Sequence, residues 1–71
     1  MNIESLTTKD PTPHAQRISR MLSDVIEHAR ADADIVDDPK AQVLFETTAE
    51  VLIGLRTAYE HYETGAEKAM R

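Results

Sequence analysis

Residues 39–62 read PKAQVLFETTAEVLIGLRTAYEHY, and the architecture follows from them. Ala41, Leu44, Phe45, Thr48, Val51, Leu52, Leu55, Ala58, Tyr59 and Tyr62 recur three and four apart for more than three heptads, the period of one helical face. Asp38 and Pro39 mark the start. The carboxylate can cap free backbone N–H groups and favour the positive end of the helix dipole, and proline is harmless at the first helical position. Beyond Tyr62, Ala66 and Ala69 extend the stripe weakly. Gly65 is read as interior to the helix at a cost of about 1 kcal/mol relative to Ala, because AEKAMR after it consists of good helix formers. Lys68 and Arg71 then complement the negative end of the dipole. A helix over about 39–69 is expected.

The preceding segment, DADIVDD, has four aspartates in seven residues. Short acidic side chains compete with helical hydrogen bonding by binding nearby backbone, so residues 32–38 are predicted as the turn, with Ile35 and Val36 closing the end of the bundle. Before it, Ala15, Ile18, Met21, Leu22, Val25, Ile26 and Ala29 fall on one helical face, and Arg17, Arg20, Asp24, Glu27 and Arg30 on the other. Thr12 as cap and Pro13 at the first helical position predict a helix over about 13–31. Residues 1–11 (MNIESLTTKDP) lack a period and are predicted to form a flexible arm, with Ile3 and Leu6 as its sizeable apolar side chains after Met1. The fold class is therefore all-α: a two-helix antiparallel hairpin spanning 12–71.

Two features predict that the hairpin needs a companion. A first helix of about 20 residues spans roughly 30 Å and a second of about 30 residues roughly 45 Å, so Tyr62 to Met70 would overhang uncovered. Between Val43 and Tyr59 the second helix also carries Val43, Leu44, Phe45, Ala49, Val51, Leu52, Ile53, Leu55, Ala58 and Tyr59, an arc too wide for one neighbour. Ordering costs about 1.5 kcal/mol per residue, which a single seam does not offset in so short a chain. With no cysteine, disulfides and thiolate zinc sites are ruled out as supports, leaving oligomerisation. A homodimeric four-helix bundle is expected, its interface drawn from Leu44, Phe45, Val51, Leu52, Gly54, Leu55, Tyr59 and Tyr62. Gly54 belongs to this set because a glycine in mid-helix suits close approach of a second backbone, so that Gly54→Leu would weaken assembly more than helicity. Val43 and Ile53, on the outer side if Leu44, Val51, Leu55 and Tyr62 face inward, are the candidate surface for a different protein.

The chain is 41% apolar and 30% charged, a composition that folds, and its formal net charge of −5 disfavours phosphate backbones as partners. No stretch approaches the roughly 18 apolar residues of a membrane span, and residues 1–13 have no apolar segment behind a basic start, so no membrane partner and a cytoplasmic location are expected.

Sites for chemistry are sparse. Ser5, Ser19 and Ser23 with His14, His28 and His61 form no nucleophile motif, and a thin core leaves little room for a water-excluding pocket, so no enzyme and no catalytic residues are expected. Glu60-His61-Tyr62-Glu63 has the residue types of a carboxylate-bridged metal bundle without its Glu-x-x-His spacing. Asp24 with His28, and Glu46 with Glu50, are two-ligand pairs; His14 and His61 would form a third where the helices pair. A solvated exterior accounts for all of these, and neither metal nor cofactor is expected. Tyr59 and Tyr62 lie among Glu60, Glu63 and Glu67, which suits a core edge better than a base-stacking platform. The glycines at 54 and 65 form no phosphate loop.

The expected function is that of a small non-enzymatic interaction protein: an adaptor, regulator or assembly subunit that binds itself and then another protein. Two alternatives carry their own tests. The architecture is similar to that of Rop-like RNA-binding regulators, with Arg17, Arg20 and Arg30 as the only basic cluster; RNA binding that resists added salt would eliminate that reading. A ferritin-like metal bundle would be eliminated by metal-free protein whose melting ignores added iron or zinc.

Overall fold

The computed structural model describes residues 7–69, with side chains through Gly65. Two helices, α1 (Pro11–Ile35) and α2 (Pro39–Ala69), pack against each other as a hairpin. Both start the same way. The Thr12 N–H donates to Asp10 Oδ1 at 3.0 Å and the Lys40 N–H donates to Asp38 Oδ1 at 3.1 Å, each aspartate preceding a proline. The Gln42 N–H then donates to the Asp38 carbonyl at 2.9 Å, the first helical bond of α2. The cap of α1 is therefore Asp10 and not Thr12. Pro13 sits inside the first turn, where the N–H it lacks would have no intrahelical partner.

α1 also ends later than residue 31: the chain stays helical through Asp32, Ala33 and Asp34, and the connection shrinks to 36–38. Ala33 explains the extension. It lies four residues after Ala29 and is 4% exposed, so helical backbone buries it in the seam, while Asp32 and Asp34 point into water. A penalty of at most about 0.7 kcal/mol per aspartate does not outweigh that contact. The Val36 N–H donates to the Asp32 carbonyl at 3.0 Å, and the Gln42 side-chain amide donates to the Val36 carbonyl at 3.1 Å, tying the connection to the first turn of α2. Within the single hairpin Ile35 is exposed and Val36 is half-buried.

The longer α1 covers more of α2. Ser23 stands opposite Arg56, whose Nη1 donates to Ser23 Oγ at 3.1 Å across the seam. Tyr62 accordingly lies beside Pro11, Ala15 and Ile18 and does not overhang them. α2 runs on through Gly65.

The seam itself is narrow. Its buried residues are Ala15, Ile26, Ala29, Ala33 and Ala49, with Phe45, Leu52 and Ile53 packed against the cluster of Ile26, Ala29 and Ala49. Small side chains such as these at the crossing points permit close approach of two helices. The hairpin measures 50 × 27 × 12 Å, so its shortest dimension holds a single layer of helices. Its radius of gyration is 15.3 Å, against about 11 Å for a compact chain of this length. One layer has little interior: among the described residues Ile26, 3% exposed, is the one large side chain in the buried core, and the rest are alanines.

Candidate interaction surface

In an antiparallel pair, moving one residue back from each seam position turns about 100° around both axes, and antiparallel geometry brings the two steps to the same side. On α1 the positions before Ser19, Leu22 and Ile26 are Ile18, Met21 and Val25. On α2 those before Phe45, Leu52, Arg56 and Glu63 are Leu44, Val51, Leu55 and Tyr62. These seven large apolar side chains are 40% to 61% exposed. They make one side of the hairpin an apolar face two helices wide. At its open end a shallow groove of about 390 Å³ is lined by Pro11, Ala15, Ile18, Ala58, Tyr59 and Tyr62, which confirms that both rows border the same side.

The other side is charged. One residue forward from the seam stand Arg20, Glu27, Arg30 and Asp34 on α1 and Glu46, Glu50, Thr57 and Glu60 on α2, all exposed. Arg30 Nη2 lies 3.9 Å from Glu50 Oε1 across the pair, and Arg56 Nε lies 3.9 Å from Glu60 Oε1 along α2. The first of these is well exposed on both partners and contributes on the order of 0–1 kcal/mol. A hollow on this side is lined by Arg30, Asp34, Val43, Glu46, Thr47 and Glu50.

The residues singled out from sequence divide into three groups. Leu44, Val51, Leu55 and Tyr62 lie exposed on the apolar face. Phe45, Leu52 and Ile53 are partly buried within the hairpin against its own core cluster, and Tyr59 is half-buried at the groove. Val43 and Gly54 are exposed elsewhere, Val43 beside the acidic hollow and Gly54 about half a turn away from the seam. The seam thus runs one residue later than an inward-facing Leu44, Val51, Leu55 and Tyr62 would require: it follows Phe45, Ala49, Leu52, Arg56 and Tyr59. Ile53 is consequently not an outer residue. Ala49, counted in the broad apolar arc, is the residue of α2 most buried in the seam, and Arg56 joins it there although its charge does not suggest a seam position. The readable signal is on α1, where Ala15 and Ala29 stand two heptads apart and Ala33 follows one turn later, a row of small residues that calls for a close partner strip.

Within the hairpin nothing approaches Gly54: a methyl group there would meet open space. Gly54→Ala is therefore expected to stabilise the chain by about 1 kcal/mol through helix propensity, measured by chemical denaturation. Equal or lower stability would show that the glycine is needed for contact outside the chain.

The titratable groups do not converge. Among the described residues no group of three or more His, Asp or Glu side chains is placed to hold a metal ion. His14 Nε2 lies 2.8 Å from the Thr8 carbonyl, which fastens the segment before α1, and His61 is exposed on α2. Ser23 Oγ accepts from Arg56 and has no histidine bonded to it. Among the described residues no helix is long and apolar enough to cross a membrane. Comparison with protein-family models, with curated protein sequences and with solved structures returns no match.

Proposed function

We propose that this chain is a small non-enzymatic helical interaction protein, an adaptor, regulator or assembly subunit, which works as a homodimeric four-helix bundle in the cytoplasm. One observation carries the reading: the hairpin is a single layer of helices whose two members both expose large apolar side chains on one side. A second such layer supplies the interior that one layer lacks. The charged side then faces water and any further protein partner. Arg30 stands opposite Glu50, and Glu27, Asp34 and Glu46 surround it; this mixed surface suits contact with a protein better than with a phosphate backbone. Two copies bearing different tags, expressed together, are expected to purify as a mixed assembly. Recovery of each tagged copy without the other would remove the basis for the proposal.

A further inference from the structure

We infer that the second copy seats on the face formed by Ile18, Met21, Val25, Leu44, Val51, Leu55 and Tyr62, and that assembly closes at two. This inference rests on the homodimer reading above and deepens it by assigning the surface. The first argument is area. The chain exposes 5726 Å², whereas a compact monomer of its mass exposes about 4,450 Å². The excess, about 1,300 Å², is spread over the one-layer chain as a whole, and the apolar face needs to supply only the roughly 800 Å² that each partner contributes to a standard stable interface.

The second argument is shape. The apolar face has two rows side by side, so a single docked helix would leave part of it wet, whereas another hairpin offers two matching rows. Its titratable side chains are His14, His28 and Asp32 on α1, with none between Leu44 and Tyr62 on the α2 row, and little charge opposes apposition. Closure follows from there being one such face. A two-fold contact uses the same patch on both copies, and the remaining side carries Arg20, Glu27, Arg30, Glu46 and Glu50, which favour water. Among the described residues nothing apolar of comparable extent is left to propagate a filament.

The test compares Leu55→Glu with Val43→Glu, both exposed in the single hairpin but on different sides. Leu55→Glu is expected to raise the dimer dissociation constant roughly a hundredfold or more, since it places a carboxylate in an apolar contact. Val43→Glu is expected to leave it within about twofold. Native mass spectrometry over a concentration series reads both. A dimer that survives Leu55→Glu and is lost with Val43→Glu overturns the face while leaving the homodimer intact; a wild-type chain that stays single overturns both. If Leu55→Glu fails to fold, the cysteine-free sequence provides a second route. A thiol in Leu55→Cys should resist alkylation in concentrated protein and react on dilution, while one in Val43→Cys reacts throughout. Equal reactivity at the two positions counts against the proposed face. Trimers or larger species at high concentration overturn closure.

Discussion

Ile26→Asp is expected to abolish cooperative folding. Ile26 is 3% exposed and centres the cluster it forms with Ala29 and Ala49, against which Phe45, Leu52 and Ile53 pack. Removing it forfeits about 1.5–3 kcal/mol of apolar burial. The carboxylate that replaces it has no cation in that cluster, and an unpaired buried charge costs several kcal/mol more or forces the site open. Native domains have only about 5–15 kcal/mol in total, and a chain this short sits at the low end. Far-ultraviolet circular dichroism should show the loss of helix. Gln16→Asp, on an exposed position of the same helix, should retain both helicity and melting. A cooperative transition in Ile26→Asp close to that of wild type would mean that the seam does not hold the hairpin together.

Ala49→Leu tests the same seam by excess volume. At 1% exposure Ala49 is the most buried of the core residues, and a leucine would press three additional carbons into the cluster it forms with Ala29 and Ile26. Overpacking of this kind typically costs about 1–3 kcal/mol, and the upper end is expected because α1 presents alanines at Ala15, Ala29 and Ala33 that set a close spacing along its length. Leucine is a good helix former, so propensity does not contribute to the loss. Denaturant titration measures it. An unchanged or higher midpoint would indicate that the two helices lie far enough apart to accommodate a larger side chain.

The helices and their pairing were legible because each depends on a strong local signal. The stripe from Ala41 to Tyr62 and the Asp38-Pro39 pair define α2, and its passage through Gly65 followed from the helix formers after it. Two local signals mislead for different reasons: at the end of α1 a tertiary contact overrides a turn preference, and at its start one capping pair competes with another. Asp32 and Asp34 argued for a turn, but Ala33 between them is buried in the seam, and the helix keeps going. Thr12-Pro13 resembled a helix start, yet Asp10-Pro11 two residues earlier is the same signal as Asp38-Pro39, and the earlier one is used.

Which residues face the partner helix is a finer matter. α2 has two adjacent apolar rows, one through Phe45, Ala49, Leu52 and Tyr59 and one through Leu44, Val51, Leu55 and Tyr62, and periodicity alone runs through both without choosing between them. The structure places the row containing Ala49 and Arg56 against α1, because the alanines of α1 demand a close approach that the bulkier row would prevent. The consequence is functional. Leu44, Val51, Leu55 and Tyr62, expected at an interface between copies, lie outside the seam together with Ile18, Met21 and Val25 from α1 and form an exposed surface.

The central claim, that this hairpin is one half of a bundle, is tested most directly by sedimentation equilibrium of the wild-type protein across a broad concentration range. The account predicts a mass twice the 8.0 kDa of the single chain, falling toward the single-chain value on dilution together with loss of helical structure. A chain that sediments at its own mass throughout, while still melting cooperatively, would contradict it.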